Sequence, residues 1–379
     1  MKKIKAVIGA NYGDEGKGLM SRYFCLESLK NNERPIVILH NGTSQRGHTV
    51  DLLNGERYVM HHFGSGTIDG VPTFYTAPFY INPLMFYDEY KLLESKGITP
   101  EVYIDDSCGI VTPIDMIIDQ MYAAYVAEKE GRSTNGSCAC GSWSASDRTL
   151  ATNLGFHYKF WDFIEGDVVE LCNRIIHWIP FVRWSRKMKE YPKGWEKWES
   201  QEEWDKLFDY FLMTFNFMTD RCHLVSLDEA YSYYDTLIFE GAQGLLLDKN
   251  NKEAQGWTTS SHTGLRNVIL LTKDYDCPKE ACYVTRSYIT KHGGGPFPEL
   301  NSDIFFSDET NQPNQYQGTL KFGNLNESEL MRRISEDGGE DSKGFKKTIA
   351  VTHLNEMPTC LNMNYASSSK YAEEIIRGV

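Results

Sequence analysis

Six short apolar runs rich in β-branched residues recur along the chain, at 6–9, 35–40, 102–105, 236–240, 281–285 and 348–354, separated by stretches with helical spacing. A strand apolar at consecutive positions is buried on both faces, and strands alternating with helices are joined by crossovers. The pattern predicts an α/β fold with a large, mostly parallel central sheet flanked by helices. Helices are predicted over 84–95, stopped by Gly97, and over 113–129, stopped by Gly131. In the second, Ile114, Ile117, Ile118, Met121 and Tyr125 fall on one face. Residues 1–379 read as one domain containing a helical, aromatic-rich subdomain over 156–234, where six of the eight tryptophans gather. Large aromatics at irregular spacing read as core of that subdomain rather than as a base-stacking surface. The stretch 335–347, mixing acidic residues, lysines and glycines, is predicted to be an exposed loop.

Charge and composition narrow the function classes. Against 39 Lys+Arg stand 52 Asp+Glu, a formal net charge of −13. That balance argues against a nucleic-acid or anionic-membrane partner and leaves room for a local basic pocket that takes a small phosphate ligand. No run of about 18 apolar residues and no signal pattern occurs, so a cytoplasmic chain without a membrane span is expected. The nine cysteines are scattered and read as free thiols; Cys138 and Cys140 lack the two further ligands a metal site needs.

The first chemically informative segment is Val7-Ile-Gly-Ala-Asn-Tyr-Gly-Asp-Glu-Gly-Lys-Gly-Leu19, a strand entering a Gly-rich turn and then an apolar helix. Gly13, Gly16 and Gly18 let backbone N–H groups converge on an anion at the helix start, and Lys17 adds positive charge. It is not a GxxxxGK[ST] loop, because Asn11 and Gly18 stand where Gly and Ser or Thr belong. Asp14 and Glu15 inside a phosphate cradle make sense if one holds Mg²⁺ or takes a proton from a substrate. A second loop, Asn41-Gly-Thr-Ser-Gln-Arg-Gly-His-Thr49, leaves the end of the next strand, where α/β sheets place ligand contacts. Gly47 permits close backbone approach there, and His48 can donate to a phosphoryl oxygen.

Together these segments resemble the adenylosuccinate synthetase family, with its WGDEGKGK-type cradle and NAGHT-type loop. Four further segments match in order: Val59-Met-His-His-Phe-Gly-Ser-Gly66, Phe239-Glu-Gly-Ala-Gln-Gly-Leu-Leu-Leu-Asp248, Trp257-Thr-Thr-Ser-Ser-His-Thr263 and Gly293-Gly-Gly-Pro-Phe-Pro298. The resemblance implies a fold distantly related to P-loop proteins, a homodimer, and a ligase that joins the amine of L-aspartate to C6 of a 6-oxopurine nucleotide, with IMP favoured. It implies Mg²⁺ and GTP or ATP as phosphoryl donor. By resemblance, Asp14 is the base for the N1 proton and, with the Gly47 carbonyl, a Mg²⁺ ligand. Gly13, Glu15, Gly16, Lys17, Gly18, Gly47, His48 and Thr49 surround the nucleotide phosphates, and His48 stabilises the transferred phosphoryl group. Gln45, Ser137, Arg148, Gln243 and Thr259 contact the purine nucleotide, Arg148 as the arginine lent across a dimer interface.

Four departures qualify the transfer. Gln45 and Arg46 replace Asn and Ala in the NAGHT-type loop, placing an extra positive charge close by. The phosphate loop has become Asn135-Gly-Ser-Cys-Ala-Cys-Gly-Ser142. The Arg-rich aspartate loop has become Asn314-Gln-Tyr-Gln-Gly-Thr-Leu-Lys-Phe-Gly323, leaving Thr319 and a single nearby cation, Lys321. At the donor base, a TKLD-type motif appears as Thr352-His-Leu-Asn355; with His353 and Asn355 there, an amide replaces the carboxylate that accepts twice from guanine, and ATP becomes a credible donor. The chain ends shortly after this motif, so the family's later base-binding loop is expected to be missing. Asn355 and the short end resemble a phage branch acting on dGMP with ATP, whereas Asp14 and the GPFP loop side with the IMP enzymes. A nucleotide-binding protein without catalysis, or a ligase for another amine, are the alternatives that the altered aspartate loop raises.

Overall fold

All six apolar runs become strands of one sheet, which has ten strands among the described residues. The computed structural model describes residues 1–131, 138–254, 256–308 and 319–378. In chain order the strands are β1 (Lys3–Gly9), β2 (Pro35–Leu39), β3 (Thr73–Tyr75), β4 (Val102–Ile104), β5 (Cys222–Leu224), β6 (Thr236–Gly244), β7 (Lys279–Arg286), β8 (Phe345–Thr352), β9 (Tyr365–Ala366) and β10 (Ile376–Arg377). Their order across the sheet is β10-β9-β8-β7-β1-β6-β2-β3-β4-β5. Every pairing is parallel except β9 with β10. The carboxyl ends of the central strands therefore share one edge of the sheet, and the loops leaving them meet there.

Side chains alternate between two cores. Ile4, Ala6 and Ile8 of β1 join Ile36, Ile38, Leu237 and Phe239 on one face. Val7, Val37, Leu39 and Ile238 face the other way. On that second face pack α1 (Lys17–Lys30), α2 (Pro83–Ser95) and α3 (Pro113–Glu130), the last two starting with proline at the first turn and capped by Asn82 and Thr112. After α4 (Ser142–Leu150) come α5 (Phe160–Glu165), α6 (Val168–Ile176), α7 (Trp178–Ser185) and α8 (Gln201–Thr219). Phe163, Trp178, Trp204, Phe211 and Phe215 are buried in the same apolar cluster as Val37, so the aromatic-rich stretch extends the sheet's own core. Trp184 is exposed. The interval 156–234 is not wholly helical: β5 and α9 (Leu227–Tyr233) lie within it, and β5 forms the sheet's edge.

Two sequence expectations are corrected. The stretch 335–347 is structured, containing the end of α11 (Glu327–Glu336), a short 3₁₀ turn and the start of β8. Asp337 accepts from the Leu265 N–H and the Tyr283 hydroxyl, both at 2.9 Å, which fixes the turn. Arg148, expected to be lent to a purine nucleotide, is fully buried. Its Nε and one terminal nitrogen grip the two Asp115 oxygens at 3.1 and 2.9 Å. Its remaining donors reach the carbonyls of Ile110, Phe156 and Tyr158. The whole guanidinium is consumed in joining α4 to α3, leaving no donor for a ligand. No helix among the described residues is long and apolar enough to cross a membrane.

Breaking one half of a buried ion pair strands the other charge. The substitution R148A is expected to lower unfolding free energy by about 3–5 kcal/mol, and R148A/D115A by less than the sum of the single changes. Urea unfolding followed by circular dichroism checks both; wild-type stability in R148A would refute the structural role.

Candidate active site

The Gly-rich turn between β1 and α1 forms because Gly13 and Gly16 take backbone angles open chiefly to glycine, φ +117° and +94°. No side chain caps the first turn of α1, so its leading N–H groups are left for a ligand. Gly18 brings the helix against the next loop: a Cβ there would lie 2.9 Å from His48 Cβ. The cleft above this turn has a volume of about 540 Å³. Gly13, Asp14, Gly16, Lys17, Gly18, Gly47, His48, Thr49, His353 and Asn355 all line it, as the sequence placed them.

Glu15 stands apart from that group. It is buried beneath the turn, accepting from the N–H groups of Asn11 and Gly13 at 3.0 and 2.7 Å, and its other oxygen lies 3.7 Å from the Lys17 ammonium. Its carboxylate therefore shapes the turn instead of facing phosphate oxygens, which would repel it. Lys17 also donates to the Gly13 carbonyl. Burial lowers the Lys17 pKa and raises that of Glu15, each opposed by the charge of the other. The Asp14 carboxylate lines the cleft, while its carbonyl accepts from Arg286 Nε at 2.6 Å.

His48 begins the hairpin of His48–Asp51 with Arg57–Met60. Its Nδ1 lies 2.6 Å from Glu240 Oε1, and its Nε2 is buried without a partner while the ring lines the cleft. Burial alone would raise the Glu240 pKa, but Arg46 and His48 beside it pull it down to about 2. Burial holds His48 neutral, its pKa lowered to about 4 against the pull of Glu240. The carboxylate thus fixes the Nδ1–H tautomer and leaves Nε2 as the nitrogen without a hydrogen bond. Arg46 is no free charge near a substrate. Its donors reach Glu240 at 2.8 Å and the carbonyls of His61 and Phe63.

The other predicted residues are more dispersed. Gln243, next to last in β6, has φ +62°, a strained angle for a non-glycine residue, and its backbone lies against the cradle: a Cβ on Gly9 would sit 2.5 Å from its carbonyl oxygen. Gln45 donates its N–H to Thr43, and Thr259 its N–H to the Leu247 carbonyl. Thr319 is exposed, and Lys321 donates to the Gly293 carbonyl at 2.9 Å. Ser137 lies outside the described residues. None of Gln45, Gln243, Thr259, Thr319 or Lys321 lines the cleft.

Sequence reasoning missed four contributors. Glu240 lay inside a quoted motif but received no role. Arg286, at the end of β7, braces Asp14 and pairs with Asp308 at 3.2 Å. Ser369 and Lys370 line the cleft because β9 returns the chain to it. A two-residue strand leaves no periodic signal. Asp14 and the Gly47 carbonyl offer hard oxygen ligands at the cleft wall, a donor set that fits Mg²⁺ with water completing its shell.

The family model for adenylosuccinate synthetase matches residues 6–340. Adenylosuccinate synthetases of Francisella tularensis, strain WY96-3418 of subspecies tularensis and strain U112 of subspecies novicida, are each 23% identical over 375 residues, covering 96% of this chain and 82% of theirs. The fully ligated adenylosuccinate synthetase of Plasmodium falciparum shares the fold with a TM-score of 0.67 and 19% identity, over 94% of this chain and 78% of that one. The cyanophage S-2L succinoaminodeoxyadenylate synthetase, bound to dGMP and to dATP as an energy donor, gives 0.62 and 13%, over 100% and 95%.

Three histidines with depressed pKa values set an acid limit on the fold. His40 and His353 are held at about 3 and His48 at about 4, in each case chiefly by burial. The unfolded chain binds a proton at each near pH 6.5 and the folded chain does not, so stability is full above that pH and falls as pH drops toward 4. Each ring contributes a slope of about 1.4 kcal/mol per pH unit in that window. His40, with both ring nitrogens buried and unpartnered, is the cleanest probe. His40→Leu is expected to flatten the curve by one such slope in urea titrations at pH 7, 6 and 5; a curve parallel to wild type would contradict it.

Proposed function

The chain belongs to the adenylosuccinate synthetase family of C–N ligases, and from that premise we propose that it joins L-aspartate to C6 of a 6-oxopurine nucleotide, with IMP as acceptor and a nucleoside triphosphate as phosphoryl donor. The observation that carries this reading is the cleft itself: Asp14, Lys17 and His48, whose Nε2 makes no hydrogen bond, line it together at the uncapped start of α1. Binding alone needs neither a base nor a histidine aimed at an anion.

In this reading the purine 6-oxygen leaves only after phosphorylation. Asp14 takes the N1 proton, negative charge collects on O6, and O6 attacks the terminal phosphorus of the donor as the bond to the nucleoside diphosphate breaks. Lys17 and the first N–H groups of α1 hold the donor phosphates. An anion arriving at His48 favours protonation of the ring, with Glu240 already ionised on its far side, so Nε2–H donates to the transferred group. Asp14 and the Gly47 carbonyl would hold Mg²⁺, which when bound would neutralise charge on the phosphates. The aspartate amine then displaces phosphate from C6, giving the succino-nucleotide, nucleoside diphosphate and inorganic phosphate.

A second reading, dGMP as acceptor with ATP as donor, is favoured by Asn355, which lines the cleft where the family's guanine-selecting carboxylate belongs. Phosphate release with L-aspartate, crossing IMP, GMP and dGMP with ATP and GTP, separates the two. The IMP reading expects turnover with IMP; turnover confined to dGMP with ATP would overturn it in favour of the second. Asp14→Asn is expected to lower kcat by about 10³ with the fold intact by circular dichroism, within the usual range for a lost general base. Asn355→Asp is expected to shift the ratio of kcat/KM for GTP over ATP upward by about tenfold, the scale of one charged hydrogen bond; an unchanged ratio would remove Asn355 from the donor site.

A further inference from the structure

The matched segment 59–66 supplies no group to the cleft, yet its backbone is held in an unusual way. Where the chain leaves the hairpin at Met60, five consecutive N–H groups donate to side chains. Those of His61, His62 and Phe63 reach the Glu89 carboxyl group at 3.0, 2.9 and 3.4 Å, that of Gly64 reaches Thr73 Oγ1 at 2.8 Å, and that of Ser65 reaches Glu240 Oε2 at 3.0 Å. The carbonyls are bound in the same manner: Arg46 donates to those of His61 and Phe63 at 2.9 and 2.6 Å, and the Tyr75 hydroxyl to that of His62 at 2.9 Å. Glu89 of α2 therefore grips the N–H groups of the same residues whose carbonyls Arg46 grips. Gly64 lets the loop lie flush on β2, since a Cβ there would be 2.6 Å from Val37 Cβ.

Glu89 stands on the core face of its helix, buried with Phe86, Tyr90 and Leu93. A carboxyl group in such surroundings is costly unless its oxygens are hydrogen-bonded. Burial raises its pKa, opposed by His61 and by the three N–H groups. The loop it holds bears on the carboxylate behind His48 from three directions. Met60 stands directly opposite His48 in the hairpin. Arg46 runs from the His61 and Phe63 carbonyls to Glu240 Oε1 at 2.8 Å, and the Ser65 N–H occupies Glu240 Oε2. Glu240 Oε1 in turn lies 2.6 Å from His48 Nδ1. A shift of residues 61–65 thus displaces two donors to Glu240 and the strand paired with His48 at once.

We propose that Glu89 is a positioning residue for phosphoryl transfer: without touching substrate, it fixes the loop 61–65 and, through Arg46 and Glu240, the orientation of the His48 ring. The kinetic consequence rests on the ligase reading; the effect on His48 does not.

The test compares wild type with E89Q, with Y75F, which removes only the hydroxyl bonded to the His62 carbonyl, and with L93A, a core truncation one turn further along α2 that leaves the loop's hydrogen bonds in place. For each, melting temperature, steady-state kinetics with IMP or dGMP, ATP or GTP and L-aspartate, and nitrogen-15 spectra of the histidine-labelled protein are recorded. E89Q is expected to lower kcat at least about tenfold with every KM within about twofold, Y75F to lower it about threefold, and L93A to melt lower while keeping the wild-type kcat. In E89Q the His48 ring loses its single Nδ1–H tautomer; in L93A it keeps it. Added to His48→Gln, E89Q is expected to cost less than about a further twofold, because two residues acting through one ring are not additive. A kcat loss shared by L93A, an unchanged His48 spectrum in E89Q, or the full further loss in the double variant overturns the proposal. In a protein whose wild type shows no turnover, a changed His48 tautomer in E89Q keeps the positioning role and sinks the ligase reading, and an unchanged one overturns both. Should E89Q fail to fold, Y75F carries the test, and a wild-type kcat with a wild-type His48 spectrum in Y75F overturns the proposal.

Discussion

The active cleft hangs on one buried carboxylate. Glu240 lies at 1% exposure where the central strand β6 reaches the sheet edge, and three partners from a different part of the chain converge on it: Arg46, His48 and the Ser65 N–H. An isolated charge at that depth would be prohibitive, and removing either neighbour strands the other. With all three present the arrangement is over-determined: Arg46 also pins the carbonyls of His61 and Phe63, so the loop after β2 has little freedom. The rigidity matters because a histidine that donates to a moving phosphoryl group must be aimed before the group arrives.

The same economy recurs around the Gly-rich turn. Glu15 ties down its N–H groups from below, Arg286 grips the Asp14 carbonyl from β7, and Arg333 reaches Asn11 from α11. Charges in this region therefore divide into two kinds. Arg46 and Glu240 are spent on each other, Glu15 on Lys17 and Arg148 on Asp115, and all four also engage backbone groups. Asp14 and His48 line the cleft instead, and the His48 Nε2 has no hydrogen-bond partner among the described residues, which is where a ligand would find complementary chemistry.

Much of this was legible in the sequence, for physical reasons. Strands β1, β2, β6, β7 and β8 are buried on both faces, which demands consecutive apolar residues and leaves an unmistakable pattern. Strands β3, β5, β9 and β10 have only two or three residues and leave none, which is why the return of Ser369 and Lys370 to the cleft was not foreseen. Asp14, Lys17 and His48 could be read because chemistry forces unusual residues into a glycine-rich context. Arg148 and Arg46 misled because an arginine in a polar loop looks free until its acidic partner is found, and Asp115 and Glu240 stand 33 and 194 positions away.

The central claim is that burial keeps His48 a neutral ring while Glu240 fixes its proton on Nδ1, leaving Nε2 as the nitrogen without a hydrogen bond. Nitrogen-15 NMR of the histidine-labelled protein, with His48 assigned by its absence from a His48→Gln variant, reads this directly. The account predicts a neutral His48 at pH 7 with the proton on Nδ1, and protonation of Nε2 as well once a nucleoside triphosphate occupies the cleft. A free ring carrying its proton on Nε2, or one titrating near pH 6.5 like an exposed histidine, would contradict it.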